Sequence, residues 1–291
     1  MKLTDISYAR AVMEKHGIAP QKRFGQNFLI SENVVSRIAD TAGLGDSDLG
    51  IIEIGPGIGT LTQKLAERYK KVVSIEIDTS LLPVLEDTLS EYDNVKIISG
   101  DAMKTDFAEL VREEFDGMRV AVCANLPYYI TSPVIMRLLE TDGLFESVTV
   151  MIQKEVADRL VAAPATAEYG AITASIGYYG EAERLFTVPA GDFVPAPKVN
   201  SAVVRIRLYG DNKPHVPQDE ALFFRTIKIA FEQRRKTLAN ALSAGFGELT
   251  KDQIVQIISD CGHPADIRGE RLDVAQFVAL SDRIGCVLKQ K

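Results

Sequence analysis

The stretch Glu53-Ile-Gly55-Pro-Gly57-Ile-Gly59-Thr60 decides the fold. It ends the apolar run 50–55 (GIIEIG), which reads as a buried strand, and opens residues 60–69, which read as a helix. Glycine makes the tight strand-to-helix turn and lets backbone approach a ligand closely. Dinucleotide sites use G-x-G-x-x-G, which aims the helix N-terminus at a pyrophosphate. Here the spacing is G-x-G-x-G with Pro56 inside, which suits a ligand without phosphates.

Outward from this turn, helix and strand alternate. Residues 71–77 (KVVSIEI), 95–99, 120–124 and 147–152 read as short apolar strands, and 201–208 (SAVVRIRL) as an alternating one. Residues 80–92, with Pro83 in a tolerant first turn, and 133–141 read as helices. Short apolar strands separated by helices predict a mostly parallel sheet covered on both faces. The segment 210–219 (GDNKPHVPQD) reads as a linker, and only helices follow. Asp219 can cap one helix running to about Ala244 with Gly245 as its stop, and 249–261 and 274–287 supply two more. The expected organisation is an α/β domain over 1–210 and a small all-α domain over 211–291.

The 291 residues, 46% hydrophobic and 25% charged, have the balance of an ordinary globular protein. No apolar run reaches the ~18 residues of a membrane span, and the polar N-terminus does not read as a secretory signal. Three scattered cysteines, Cys123, Cys261 and Cys286, argue against a disulfide framework and for a reducing cytosol. His16, His215 and His263 have no metal-ligand spacing, so no metal is expected. The net charge of −7 is uneven. Residues 211–291 hold 12 Lys/Arg against 11 Asp/Glu, and the remainder is net −8. Overall charge therefore does not exclude a nucleic-acid partner.

Three further features carry chemistry. Glu76 ends the second predicted strand about twenty residues after the glycines, where an acid accepts hydrogen bonds from ribose hydroxyls. It does not separate a nicotinamide dinucleotide from S-adenosylmethionine. Gly100-Asp101-Ala102 follows the third strand, and a carboxylate there can hold the amino group of an adenine. Asn125-Leu126-Pro127-Tyr128-Tyr129 directly follows the fourth strand and is the most specific feature. The amino lone pair of adenine is delocalised into the ring, so N6 is a poor nucleophile. The Asn125 side-chain oxygen and the Leu126 carbonyl can each accept one N6 hydrogen, pulling the amino group toward tetrahedral geometry. Pro127 stiffens the turn, and Tyr128 offers a flat face to a base taken out of its stack. Pro56 and this loop argue against a nicotinamide-linked oxidoreductase.

With these motifs in this order, the chain resembles the small-subunit ribosomal RNA adenine dimethyltransferases (the KsgA family). It is more distantly similar to the large-subunit dimethyltransferases of macrolide resistance. The likeness runs from Gln21 to about Phe277 and implies a Rossmann-like class I methyltransferase domain with a helical C-terminal domain. It implies that residues 21–29 (QKRFGQNFL) fold over S-adenosyl-L-methionine, with Gln26, Asn27 and Leu29 at the cofactor. Gly55, Gly57, Glu76, Ile77, Asp101, Ala102 and Asn125 would line the rest of that site, Glu76 holding the ribose and Asp101 the adenine. Phe193-Val-Pro-Ala-Pro-Lys-Val199 looks like the target-base loop. Phe193, which by itself reads as core, would stack the adenine opposite Tyr128. The implied reaction is in-line methyl transfer to N6 of two adjacent adenosines in a hairpin near the 3′ end of 16S ribosomal RNA, giving N6,N6-dimethyladenosine. A late checkpoint in small-subunit assembly is implied with it. The partner is then the small-subunit precursor and its RNA, and a cytoplasmic monomer is expected.

Phosphate contacts are sought among cations. On one continuous helix over 219–244, Phe223, Ile227, Ala230, Phe231, Leu238 and Ala241 share a face, and Arg225, Lys228, Arg235 and Lys236 fall mostly opposite. Arg234 lies on the apolar face and calls for a buried acid or a neighbouring domain. Lys22, Arg23 and Lys198 sit in the two loops nearest the base pocket and are added as RNA contacts.

Overall fold

The computed structural model describes residues 2–21, 25–141 and 143–290. The chain divides into two compact units: Met1–Ala157 with Glu181–Gly210, and Asp158–Gly180 with Asp211–Lys291.

The first unit holds a seven-stranded sheet. Its strands are β2 (Gly50–Ile54), β3 (Lys71–Glu76), β4 (Val95–Ser99), β5 (Val120–Asn125), β6 (Ser147–Gln153), β7 (Gly180–Val188) and β9 (Ser201–Leu208). The order is β4-β3-β2-β5-β6-β9-β7. The first five run parallel, and β9 is antiparallel to β6. Every residue of β2 is buried, which is why an unbroken apolar run reads as strand: helices cover both faces of a parallel sheet. Helices α2 (Glu32–Ala42) and α3 (Thr60–Arg68) supply Val35, Ile38 and Leu65 to a core shared with Ile51, Val72, Ala121 and Val203.

Chain order reverses between β2 and β5. β3 and β4 add on one side of β2, and β5 and β6 on the other. A crevice opens at the carboxyl ends of strands at such a point, and ligands of open α/β sheets bind there. Ile54 pairs with Ala124, so the glycine turn after β2 and the Asn125 loop after β5 leave the sheet side by side.

An N-terminal arm covers this end. Helix α1 (Ile6–Lys15), capped by Asp5, packs Val12 and Met13 with Phe28, Ile58, Leu81 and Val84. The short strand β1 (Phe28–Leu29) then pairs antiparallel with β8 (Phe193–Val194), Leu29 opposite Phe193.

After α3 the chain forms α4 (Leu82–Thr88), α5 (Phe107–Glu114), α6 (Thr131–Leu139) and α7 (Lys154–Leu160). The second unit contains α8 (Ala171–Tyr179), α9 (Glu220–Glu232), α10 (Leu238–Gly245), α11 (Lys251–Asp260) and α12 (Val274–Leu288). Two expectations change here. Residues 158–180 belong to the helical unit, although they lie before the linker in sequence. Tyr169 shows why: its hydroxyl donates to Leu272 O at 2.9 Å and its ring packs edge-on against Phe231. The single helix expected over 219–244 is broken at residues 233–237. Gln233 leaves helical geometry at φ −129°, ψ 63°. Thr237 caps α10 by accepting from Asn240 N, and Leu238 N donates to Ile267 O at 2.7 Å. Arg234 is held mainly by backbone: its Nη2 donates to Ala167 O and Tyr169 O at 2.7 and 2.9 Å, and it also pairs with the partly buried Glu270 at 3.9 Å.

Candidate cofactor and base site

A cavity partly open to solvent lies at the β2/β5 switch point. Its lining includes Gln26, Asn27, Leu29, Gly55, Gly57, Glu76, Ile77, Asp101, Ala102, Asn125, Leu126, Pro127, Tyr128 and Phe193. All the residues assigned by sequence to the cofactor and the base therefore share one space.

The glycine turn is built on left-handed backbone, with φ +70° at Gly55, +62° at Gly57 and +92° at Gly59. At Gly57 a Cβ would lie 3.1 Å from the Phe28 ring. The turn needs glycine for its conformation and for the closeness of the arm. Gly57 N donates to Glu76 Oε2 at 3.2 Å and Asp78 N to Oε1 at 2.8 Å. Burial raises the Glu76 carboxyl above the usual range, and those backbone N–H groups oppose the shift. Glu53 is wholly buried beneath the turn and accepts from Thr62 Oγ1 at 2.7 Å and Ser74 Oγ at 2.8 Å. Burial pushes its carboxyl up to about 7 despite both hydroxyls. Asp101 Oδ1 accepts from Met103 N at 2.9 Å, which orients the carboxylate in the turn after β4.

The Asn125 loop is held from both sides. Leu126 N donates to Met151 O at 3.1 Å, tying the loop to β6. Asn125 Nδ2 donates to Asn27 O at 3.3 Å, and Asn27 Nδ2 to Gly25 O at 3.0 Å. With Nδ2 donating to the arm, Asn125 keeps Oδ1 as an acceptor. Tyr128 is half-buried, its hydroxyl 3.1 Å from Ser201 Oγ. Phe193 is 3% exposed: it packs in the core, as the residue by itself suggested, and it also lines the cavity.

Sequence reading missed three contributors. Glu53 and Met103 line the cavity, Glu53 within the glycine motif itself and Met103 two residues past Asp101. Asp78, 3% exposed, binds the arm: its Oδ2 accepts from Gln26 Nε2 at 2.8 Å and Gln21 Nε2 at 3.0 Å. Gln26 Oε1 in turn accepts from Gln21 N at 2.7 Å, so both polar ends of Gln26 are engaged with protein.

The proposed RNA contacts are scattered. Lys22 and Arg23 lie outside the described residues. Lys198 is exposed in the loop after β8, and Lys228 is exposed on α9. Arg235 and Lys236 are exposed in the turn after α9, so they do not continue its face. Arg225 stacks 4.4 Å over the Phe246 ring and donates to Gly245 O at 3.0 Å, a local structural role. Among the described residues no group of three His, Cys, Asp or Glu side chains is placed to hold a metal. None of the described helices is long and apolar enough to cross a membrane.

Residues 19–278 match the family model for ribosomal RNA adenine dimethylase. The chain belongs to that family. It is 48% identical over 283 residues to the Ribosomal RNA small subunit methyltransferase A of Geobacillus sp. (strain WCH70), covering 96% of both chains. It is 44% identical over 284 residues to the protein of the same name from Listeria monocytogenes, again covering 96% of each. Among solved structures, a dimethyladenosine transferase from Plasmodium falciparum aligns with a TM-score of 0.72 at 24% identity, covering 87% of this chain and 95% of that one. The 23S rRNA methyltransferase ErmE aligns with a TM-score of 0.66 at 26% identity, covering 89% and 100%. The fold described above is the Rossmann-like α/β fold of these methyltransferases.

Proposed function

We propose that this chain is an S-adenosyl-L-methionine-dependent methyltransferase that dimethylates N6 of two adjacent adenosines in small-subunit ribosomal RNA. The observation that carries the reading is Asn125, whose side-chain amide donates to Asn27 O and so leaves its oxygen to accept at the cavity wall. The cavity also suits the cofactor. Its described lining holds three carboxylates, Glu53, Glu76 and Asp101, and no Lys, Arg or His. Such a wall favours a ligand with a ribose and positive charge and disfavours a polyphosphate. When bound, the cofactor supplies an electrophilic methyl on a sulfonium.

The chain's residues supply the rest. Glu76 accepts from the ribose, Asp101 from the adenine amino group, and Gly55 and Gly57 allow close backbone approach. Asn27 and Leu29 of the arm close the site. For the target base, Asn125 Oδ1 and Leu126 O accept the two N6 hydrogens and free the lone pair, while Tyr128 and Phe193 bracket the ring. The pocket must also take the monomethylated base for the second transfer. Lys198, Lys228, Arg235 and Lys236 are assigned to RNA phosphates. The reading extends to a checkpoint on the small-subunit precursor, to a cytoplasmic site of action and to a monomer.

The test is to incubate purified protein with labelled S-adenosylmethionine and small subunits from cells lacking the enzyme, and to map the modified residues. Dimethyladenosine at two adjacent positions of 16S RNA is expected. Label on large-subunit RNA alone, or none, would overturn the substrate assignment.

A further inference from the structure

Asp78 joins the arm to the ribose acid. It lies at the end of β3, two residues past Glu76, and is 3% exposed. A buried carboxylate demands partners, and each oxygen of Asp78 has them. Oδ1 accepts from Ser80 Oγ at 2.6 Å and Ser80 N at 3.2 Å. Oδ2 accepts two side-chain amides from the arm, those of Gln21 and Gln26. Meanwhile Asp78 N donates to Glu76 Oε1 at 2.8 Å. One residue therefore grips the arm with its side chain and orients Glu76 with its backbone.

We infer that Asp78 is a positioning residue for the cofactor. It latches Gln21 and Gln26 to the end of β3 and holds Glu76 at the angle the ribose needs. The inference rests on the cofactor reading above. The latch is polar and specific in sense: a carboxylate faces two amide donors, so the pattern reverses if donor and acceptor are exchanged. Asp78 touches neither the methyl group nor the target base in this reading. Its loss should weaken cofactor binding without slowing transfer once the cofactor is saturating.

The experiment is calorimetric titration of S-adenosylmethionine into the full-length protein, with steady-state methylation of immature small subunits alongside. Asp78→Asn turns an amide toward Gln26 and should raise the cofactor Kd and KM about ten-fold or more, with kcat changed less than about two-fold. Gln26→Glu should weaken binding comparably by placing two carboxylates together. The double variant D78N/Q26E restores one donor–acceptor pair and should recover most of the affinity. A merely structural Asp78 would give additive losses. A direct cofactor contact by Gln26 would also go unrescued. Gln26→Met, which leaves Asp78 in place, covers the case in which D78N does not fold, and it too should raise Kd. If the wild type binds S-adenosylmethionine and Q26M or D78N binds it equally well, or if the double variant shows no recovery, the latch is refuted. If the wild type itself does not bind, the cofactor reading falls instead.

Discussion

Asn125 and Asn27, 98 positions apart in the chain, meet through a hydrogen bond of 3.3 Å from the Asn125 amide to the Asn27 carbonyl. That bond decides which end of Asn125 faces the cavity. On the proposed reading the oxygen is then preset to hold the exocyclic amino group of the target base, with no reorganisation at the moment of reaction. Asn125→Ala removes the acceptor and also releases the arm's carbonyl. Loss of one preorganised electrostatic group costs about 10²–10³ in kcat. Single-turnover methylation of immature subunits should slow by that factor, while calorimetry should show cofactor affinity reduced by less than about ten-fold. Transfer at the wild-type rate would remove Asn125 from the chemistry.

The glycine turn makes a second prediction. Gly57 sits at φ +62°, where an L side chain is strained, and its Cβ would press on Phe28 at 3.1 and 3.2 Å. Gly57→Ala should therefore cost about 1–2 kcal/mol from backbone strain. Displacement of Phe28 and of the Gly57 N–H bond to Glu76 should add to this. The unliganded protein should melt a few degrees lower. The rise in melting temperature at a fixed S-adenosylmethionine concentration should also shrink, because that rise reports affinity. Differential scanning fluorimetry with and without cofactor reads both.

What the sequence made legible was local. Gly55, Gly57 and Gly59 signal their turn because the left-handed conformations lie within one short stretch. Asn125 and Glu76 could be placed because each ends a strand that apolar runs reveal, and strand ends at a switch point converge. Asp78, Gln21 and Gln26 gave no such signal. Their meeting depends on an arm more than fifty residues away folding back over the sheet. The break at 233–237 was hidden for a similar reason. No glycine or proline marks it, and the apolar spacing runs through it. Helical propensity is weak there against the bonds that Arg234, Thr237 and Leu238 make with distant backbone. Residues 158–180 read as part of the first domain because sequence order is silent on which core an excursion joins.

Arg234 and its neighbour Arg235 should separate structure from RNA contact. Arg234→Met keeps the stem but removes the donors to Ala167 O and Tyr169 O. Lost hydrogen bonds to a charged donor cost about 1.5–3 kcal/mol. The helical unit should melt or exchange its amide protons earlier, with losses concentrated around Tyr169 and the start of α10. Arg235→Met, at an exposed position, should stay within about 0.5 kcal/mol of wild type. It should instead weaken binding to small subunits and lower the salt dependence of that binding by about one phosphate contact. Reversed outcomes for the two variants would exchange their roles.

Glu53 makes stability fall as pH rises. Its carboxyl is pushed from an ordinary 4.5 up to about 7 in the folded protein, first by burial and then by the nearby Glu76 charge, with Thr62 and Ser74 pulling the other way. Below pH 4.5 it is protonated whether the chain is folded or not, and it has no effect on stability. Between 4.5 and 7 the folded protein keeps a proton that the unfolded chain releases, so unfolding becomes easier with each step up in pH. Above 7 the carboxylate is ionised in both states and the full cost, roughly 3 kcal/mol at ~1.36 kcal/mol per pH unit, stays constant. Glu53→Gln keeps an oxygen for the Thr62 and Ser74 hydroxyls but cannot ionise. Denaturant unfolding of the cofactor-free protein at pH 5, 6, 7 and 8 should show the variant gaining on wild type from 5 to 7 and running parallel beyond. A bound sulfonium favours the carboxylate, so saturating S-adenosylmethionine should reduce that gain in the same series. A stability difference that does not change with pH would mean that Glu53 titrates at its ordinary value and that the buried acid is not strained.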